Sequence, residues 1–243
     1  MRPIDTVIME VQSETPLIKT LRLDRSLDPH PGQYAMVWIR GLDEVPMSFS
    51  GPDTITVQSV GEASEALNSL GEGRSIGLRG PLGKGFTLLG ERILIIGGGG
   101  GTAPLAFLGE QAMNAGMEVT SLIGYRCCSD MIFLKRFQRL GRTIVTTDDG
   151  SSGIRGRGAA GLEALDLDDY DQIYLCGPEL MMWDVISRSR EHAKKTQACI
   201  NRYFKCAVGI CGSCCLDPDG LRVCVEGPVI RADRLLESEF GRY

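Results

Sequence analysis

Four cysteines near the C-terminus have the spacing of an iron–sulfur ligand set. They are Cys206, Cys211, Cys214 and Cys224, arranged as C-x4-C-x2-C-x9-C. The first three reproduce the loop spacing that wraps thiolates around a [2Fe–2S] cluster. Alanine, glycine and serine occupy positions between them, so the backbone can fold tightly and donate N–H groups to sulfur. Such a one-electron centre predicts electron transfer and requires a donor and an acceptor.

Two alternatives to this ligand set remain open on these residues. A C-x2-C pair with a distant cysteine also suits tetrahedral zinc, although the x4 gap and the glycine-rich loop favour iron–sulfur. The return to Cys224 is shorter than in plant-type ferredoxins. Cys215 could replace Cys214 as the third ligand. We favour Cys214 because its two-residue gap from Cys211 places both sulfurs on one iron more easily.

Composition and charge narrow the classes of function. The chain has 243 residues and a net charge of −5 without a long basic run, so we expect no nucleic acid partner. Nine cysteines, odd in number and clustered, argue against a secreted disulfide framework. The N-terminus lacks a signal-peptide pattern, and no apolar run reaches the roughly 18 residues of a transmembrane helix. We therefore expect no membrane association and a cytoplasmic location.

The first 90 residues predict a small antiparallel β-barrel. Short apolar runs bounded by Gly, Pro, Asp and Ser have the length and composition of strands. They are TVIMEV, LIKTLRL, YAMVWI, TITVQSV and SIGLRG. One helix, beginning near Ser64 and ending near Gly71, is predicted between the last two.

From Glu91 onward, strand and helix patterns alternate. The predicted strands are ILII, MEVTSLIGY, RTIVTTDD and DQIYLCG, with helical segments between them and after the last. This alternation predicts βαβ units and a doubly wound parallel sheet. The fold class is therefore α/β plus β, and we expect three domains at 1–90, 91–195 and 196–243.

Two loops at the carboxyl ends of predicted parallel strands are candidate nucleotide sites. Their residues are Gly97, Gly98, Gly99, Gly101 and Thr102 in the first loop, and Cys176, Gly177 and Pro178 in the second. Backbone N–H groups of the glycine run and the helix that follows it can approach a pyrophosphate. The second loop ends a strand in the same crevice, where a thiol could lie beside a planar ring. A tight turn and a buried cysteine are the alternatives, because the run departs from the G-x-G-x-x-G fingerprint.

The order of these motifs resembles the electron-transfer subunits of NAD-dependent, class 1B dihydroorotate dehydrogenases, a family within the ferredoxin–NADP reductase superfamily. The resemblance covers nearly the whole chain, and GGGGGTAPL, CGPELM and the cysteine segment ending RVCVEGPV are its most specific parts. It implies an FAD-binding barrel, an NAD-binding doubly wound sheet and a small [2Fe–2S] domain. FAD and [2Fe–2S] are the implied cofactors, with NAD as co-substrate.

The resemblance also assigns site residues. For FAD they are Val45, Pro46, Met47 and Ser48 in the flavin segment, Val57 and Gln58 in a strand, and Ala63 and Ser64 at the pyrophosphate. The two loops at the strand ends would form the nicotinamide side, and the four cysteines of the C-x4-C-x2-C-x9-C pattern would hold the cluster. Val45 stands where the family often has arginine, so another group must contact the phosphate; Arg74, Arg79 and Lys84 are candidates.

A partner is implied as well: an FMN-containing catalytic subunit that oxidises dihydroorotate in pyrimidine biosynthesis, in a heterotetramer of two subunits of each kind. No acid, base or nucleophile set for that oxidation is visible here, so we expect no catalytic residue. Electrons would pass from FMN through [2Fe–2S] and FAD to NAD+. The alternatives are an FAD/[2Fe–2S] subunit of a hydrogenase or ferredoxin:NADP+ oxidoreductase complex, and a zinc-stabilised nucleotide-binding regulator. Arg126, after the second parallel strand, leaves NADP open.

Overall fold

The N-terminal part of the chain forms a closed barrel. The protein is described by a computed structural model that covers residues 2–242. Six strands make the barrel: β1 (Ile4–Thr15), β2 (Ile18–Leu23), β3 (Tyr34–Trp38), β4 (Glu44–Gly51), β5 (Thr54–Gln58) and β6 (Ser75–Leu82). They close in the order β1-β2-β5-β4-β3-β6, with every neighbouring pair antiparallel. This confirms the predicted barrel.

Two local features of the barrel differ from the sequence pattern. The segment EVPMSFS is itself a strand within β4, because it pairs with β3 over residues 44–48 and with β5 at Phe49. The helix between β5 and β6 is α1 (Glu62–Ser69), so Ser64 is its third residue rather than its first. The Ser64 hydroxyl accepts hydrogen bonds from the N–H groups of Val60 (3.0 Å) and Gly61 (3.1 Å). These bonds cap the first turn, so the helix begins at Glu62, two residues before Ser64.

The second part of the chain is built on a seven-stranded sheet. The nine strands of this part of the chain, seven in the sheet and two in a hairpin, are β7 (Arg92–Gly98), β8 (Glu118–Tyr125), β9 (Gly141–Thr147), β10 (Ile154–Arg155), β11 (Gln172–Cys176), β12 (Thr196–Cys199), β13 (Cys215–Leu216), β14 (Leu221–Arg222) and β15 (Val229–Arg231). The sheet has the order β10-β9-β8-β7-β11-β12-β15, and only β15 is antiparallel to its neighbour; β13 and β14 form a separate hairpin.

Helices cover both faces of this sheet, as a doubly wound fold requires. They are α2 (Thr102–Asn114), α3 (Leu134–Leu140), α4 (Glu179–Arg188) and α6 (Ala232–Leu236), while the short α5 (Val223–Glu226) lies in the cysteine segment. In β7, Ile93 and Ile95 pack in one apolar core with α2 and α3, whereas Leu94 and Ile96 pack in the other with α4. The two-sided burial explains the unbroken apolar run ILII. Within residues 2–242, no helix is both long and apolar enough to cross a membrane.

The cysteine segment is an excursion from the edge of the sheet. It leaves after β12, forms the β13–β14 hairpin and α5, and returns as β15. Its side chains pack against the outer face of the barrel, where Tyr34 and Met36 share one buried core with Phe204 and Cys214. The segment 196–243 therefore touches both larger parts, and we keep the division at residues 91 and 196 as a proposal.

Candidate cofactor sites

The four cysteines lie in one loop region as two pairs. The thiols of Cys206 and Cys211 interact with each other, and so do those of Cys214 and Cys224. Within residues 2–242, no three or more Cys, His, Asp or Glu side chains are arranged to hold a single metal ion. Two pairs of thiols are the donor set that a two-iron cluster needs, with one pair on each iron.

This pairing differs from the argument that selected the third ligand. The short x2 gap predicts that Cys211 and Cys214 share an iron, whereas the Cys211 thiol interacts with that of Cys206; which sulfurs share an iron stays a prediction. The reason for the interaction of Cys206 with Cys211 is a tight turn between them, with positive φ angles at Ala207 (57°) and Gly209 (76°). A left-handed conformation at alanine is unfavourable, and such backbone strain is concentrated at functional sites.

The turn directs main-chain N–H groups at the sulfur of Cys206. Val208, Ile210 and Cys211 donate to its Sγ at 3.5, 3.4 and 3.5 Å. These donors stabilise the thiolate and lower the pKa of Cys206 to about 6. The Ser213 hydroxyl and N–H likewise hold the pKa of Cys211 below its ordinary value. This half of the loop is therefore prepared to offer negatively charged sulfur.

The second pair is buried. Cys214 and Cys224 are 2% and 1% exposed, and the Cys224 N–H donates to the Cys214 Sγ at 3.4 Å. Burial raises the pKa of Cys224 to about 12. A coordinating metal deprotonates such a thiol, so bound iron offsets this cost. A pair with one half-buried and one exposed thiol, Cys206 and Cys211, next to a buried pair fits a cluster that lies at the surface with one side open.

Cys215 is directed differently from Cys214. Residue 215 begins β13 and pairs with Arg222, whereas Cys214 lies in the turn before that strand. The Cys214 sulfur, by contrast, accepts a hydrogen bond from the N–H of Cys224, the other member of the buried pair. The geometry therefore supports Cys214 as the third ligand, which stays a prediction.

The flavin segment lies on β4 beside this loop. Val45 and Met47 pack against the barrel core, whereas Pro46 and Ser48 are the cross-strand partners of Met36 and Tyr34 on the other face. That second face is the one that contacts the cysteine segment. The alternation of β4 thus directs Pro46 and Ser48, and not Val45, towards the cluster side.

The three residues predicted to replace the arginine missing at Val45 have different surroundings in the structure. Arg79 is buried, forms an ion pair with Glu44 and donates from Nη1 to the Cys206 carbonyl at 3.3 Å. Its guanidinium is thus already engaged with protein groups. Arg74 and Lys84 are exposed. We infer that a phosphate contact by Arg79 would require breaking that ion pair.

The remaining predicted FAD contacts are spread over β5 and α1. The Val57 side chain is fully buried in the barrel core, so only its main chain can face a cofactor, while Gln58 is exposed. Ala63 lines a cavity of about 340 Å³ together with Asp43 and Glu62. Those carboxylates repel an anion, and the Ser64 hydroxyl is used within the protein. Pyrophosphate binding there would depend on the first-turn N–H groups of α1, which have no intrahelical acceptor.

The two loops of the predicted nicotinamide side meet. A Cβ on Gly101 would lie 2.6 Å from the carbonyl carbon of Cys176 and from the N and Cα atoms of Gly177. A Cβ on Gly177 would in turn lie 3.1 Å from the Gly98 N. Glycine at these positions allows two strand ends to approach backbone to backbone. The carboxyl ends of β7 and β11 therefore form one crevice, in which we predict nucleotide binding.

The other residues predicted for the nucleotide site shape the turn between β7 and α2 and the start of α4. Gly97 is buried, Gly99 has a positive φ of 50°, and the Thr102 hydroxyl donates to the Gly99 carbonyl at 2.7 Å. Thr102 begins α2, so its hydroxyl closes the turn before the helix. Pro178 precedes α4 and is exposed. The five-glycine run thus combines a tight turn with close loop packing.

Sequence patterns missed the side chains that join the cysteine segment to the other parts. Tyr34 is 2% exposed and donates from its hydroxyl to the Cys224 carbonyl at 3.0 Å. Arg202 forms an ion pair with Glu179 at 2.6 Å and so links the segment to the start of α4. A tyrosine in a strand and single charged side chains such as Arg202 and Glu179 have no characteristic spacing in a sequence. No pattern in one sequence identifies such long-range contacts.

Comparisons with known proteins agree on this architecture. The model of the iron–sulfur cluster binding domain of dihydroorotate dehydrogenase B matches residues 201–236. A probable dihydroorotate dehydrogenase B (NAD(+)), electron transfer subunit, of Methanocella arvoryzae is 51% identical, covering 100% of this chain and 96% of the relative. The subunit of the same name in Methanocaldococcus jannaschii is 40% identical, covering 100% and 95%.

Solved structures repeat the fold over most of the chain. The NADH-dependent reduced ferredoxin–NADP oxidoreductase superimposes with a TM-score of 0.84 at 24% identity, covering 96% of this chain and 91% of that one. The flavohaem-like FAD/NAD binding domain of Vibrio cholerae nitric oxide dioxygenase gives 0.72 at 22% identity, covering 82% and 98%. At these identities the similarity shows the fold. Because relatives at 51% and 40% identity span its whole length, the chain belongs to the family of dihydroorotate dehydrogenase B (NAD+) electron transfer subunits.

Proposed function

We propose that this chain relays electrons between a [2Fe–2S] cluster held by Cys206, Cys211, Cys214 and Cys224, FAD on the barrel, and NAD+. As a member of its family it is the electron transfer subunit of an NAD+-linked dihydroorotate dehydrogenase, which works in pyrimidine biosynthesis. The observation that carries the site assignment is the arrangement of two thiol pairs on the barrel face beside the flavin segment.

Each part of the chain has one task in this relay. The Cys206 turn supplies N–H donors that stabilise charge on sulfur, and burial of the Cys214–Cys224 pair keeps water from that side. Hydrogen bonds and burial of this kind set the potential of a cluster. FAD, when bound, exchanges single electrons for the electron pair that nicotinamide carries. Ser48 and Gln58 are placed to orient it, and the Gly101–Gly177 crevice to receive the nucleotide.

We propose that the catalytic partner subunit binds over the cysteine turn. Tyr203, Val208 and Ile210 are 74%, 47% and 83% exposed, although large apolar side chains are usually buried, and they flank the exposed Cys211. A partner seated there would bring its redox centre close to the cluster. We propose FMN as that centre and two subunits of each kind, as the resemblance implies.

The cytoplasm stays the proposed location, because it keeps thiols reduced.

Cysteine variants test the cluster. Anaerobically purified wild type should contain iron and acid-labile sulfide, with flavin absorbance bands. Cys214→Ser should lose or destabilise the cluster, whereas Cys215→Ser, the matched control one residue away, should keep it. Equal loss from both variants would contradict the ligand assignment. Colourless protein with bound zinc would contradict the redox function itself and support the zinc-stabilised regulator.

A charge on the exposed apolar patch tests partner binding. Ile210→Glu should weaken the complex with the dihydroorotate-oxidising subunit by at least about tenfold, because a carboxylate would be desolvated in the interface. Met113→Glu, at the far end of α2 and also exposed, is the control. Titration of the two purified subunits by calorimetry gives both affinities. Equal affinities of the two variants would exclude this surface.

The alternative oxidoreductase assignment is less well supported. The similarity to the ferredoxin–NADP oxidoreductase structure concerns the fold, at 24% identity, whereas the 51% and 40% identical relatives carry the dihydroorotate dehydrogenase B name. The chain alone should oxidise NADH with an artificial acceptor yet form no orotate. Orotate formed by the isolated chain would refute the relay.

A further inference from the structure

The barrel holds the cysteine loop at one main-chain carbonyl from each thiol pair. The Tyr34 hydroxyl donates to the carbonyl of Cys224 at 3.0 Å. The Arg79 guanidinium donates to the carbonyl of Cys206 at 3.3 Å. Because Cys206 and Cys224 belong to different pairs, these two side chains span the loop from one half to the other.

Both side chains are buried and held on their own strands. Tyr34 is 2% exposed, with its ring centroid 4.7 Å from that of Phe204. Arg79 is 8% exposed and its charge is balanced by Glu44, which bonds the guanidinium through Nε and Nη2. A buried arginine is costly unless it is paired and hydrogen-bonded. Its position against a cysteine carbonyl is therefore a defined arrangement and not a surface contact.

The same strands carry the flavin segment. Tyr34 is the cross-strand partner of Ser48, and Met36 is the partner of both Pro46 and Arg79. Directly opposite residues in a sheet have Cβ atoms about 4.5–5.5 Å apart on one face. A movement of Tyr34 or Arg79 thus moves the cysteine loop relative to the strand proposed to face FAD.

We propose that Tyr34 and Arg79 are positioning residues for the relay: they clamp the two halves of the cluster loop onto the flavin strand and tune the cluster. This inference rests on the proposed function. The clamp fixes the separation of the two redox centres, on which the rate of electron transfer depends steeply. It also directs a hydroxyl dipole and the positive end of the Arg79–Glu44 ion pair towards the loop, and both favour the more negative, reduced cluster.

The test compares cluster potentials in the intact, cofactor-loaded chain. Arg79→Gln removes the charge and leaves Glu44 unbalanced, so the ratio of reduced to oxidised cluster at a given potential should fall about tenfold, equal to about 59 mV for one electron. Tyr34→Phe keeps the ring and should lower the ratio less. An EPR-monitored redox titration measures both. Arg22→Gln, which removes the exposed Arg22–Glu10 pair on the same barrel, is the matched control and should leave the potential unchanged.

A second readout does not depend on electron transfer. Compared with Arg22→Gln, amide hydrogen exchange should be faster over residues 205–215 in Arg79→Gln and over residues 221–228 in Tyr34→Phe, because these segments hold the carbonyls of Cys206 and Cys224 that the two side chains bind. Variants that match the control in both potential and exchange would overturn the inference. If Arg79→Gln loses the cluster, Tyr34→Phe and Arg79→Lys decide by the same two measurements, since lysine keeps the charge and loses the fork. Wild type without cluster or flavin would instead refute the proposed function.

Discussion

Substitution of Gly101 tests the contact between the two loops of the nucleotide crevice. Its Cβ would lie 2.6 Å from main-chain atoms of Cys176 and Gly177, and real Cβ contacts essentially never fall below 3.0 Å. Main-chain atoms at two strand ends cannot turn aside as the end of a flexible side chain can. Gly101→Ala must therefore move one loop away from the other by several tenths of an ångström.

The size of the effect follows from two opposing contributions. Overpacking of this kind costs roughly 1–3 kcal/mol. Alanine also restricts the unfolded chain, which returns about 0.4–1 kcal/mol because φ of −66° and ψ of −13° at Gly101 suit any residue. The net loss is about 1–2 kcal/mol. For a chain of this size, we expect the midpoint of thermal unfolding to fall by roughly 3–6 °C.

Gly100→Ala is the matched control. The Cβ of that variant would meet only Gln58 Oε1, at 3.1 Å, and this side-chain end can move. Thermal unfolding of the FAD-loaded protein and NADH binding, followed by flavin absorbance, compare the two variants. Gly101→Ala should be less stable and bind NADH more weakly than Gly100→Ala. Equal unfolding temperatures together with equal NADH affinities would refute the loop-contact argument.

Three further changes have outcomes set by charge. Burial raises the pKa of Glu14, so the folded state favours the protonated carboxyl, and this stability is lost as the pH rises through the raised pKa. Glu14→Gln should therefore raise the midpoint of thermal unfolding at pH 7 and leave it unchanged near pH 4. Main-chain N–H groups at the start of β7 hold the pKa of Asp171 below its ordinary value, so Asp171→Asn should destabilise the protein at pH 7 in urea, with the difference shrinking as the pH falls through that lowered pKa. Asp130 engages the Arg126 guanidinium at 2.8 Å, so Asp130→Asn should raise kcat/KM for NADPH relative to NADH by freeing a cation for a 2′-phosphate.

Each of these outcomes has a clear contrary result. A lower midpoint for Glu14→Gln at pH 7 would mean that attraction to Arg136 exceeds the cost of burial. A pH-independent loss in Asp171→Asn would show that the ionised carboxylate is not the stabilising form. An unchanged preference between the two nucleotides in Asp130→Asn would place the ribose away from Arg126.

Strand and helix content could be read from the chain because local periodicity reports burial. Runs such as ILII and TITVQSV lie in β7 and β5, and the Gly97–Gly101 run ends β7 and leads directly into α2. Pairing partners were harder to predict. EVPMSFS has a proline and mixed polarity, and its pairing with β3 and β5 makes it a strand. The predicted helix start near Ser64 lies two residues after the observed one, because the serine caps the turn from inside the helix.

The sequence by itself determined the kinds of chemistry present: thiolates at a characteristic spacing, a glycine run between strand and helix, and a cysteine at the end of a parallel strand. These are local properties, since a few consecutive residues decide each of them. Only the tertiary structure decided which thiols pair, that Val57 is buried in the barrel, and that Tyr34 and Arg79 reach the cysteine loop. Those contacts join residues 127 and 190 positions apart, and their geometry depends on how the barrel and the sheet pack together.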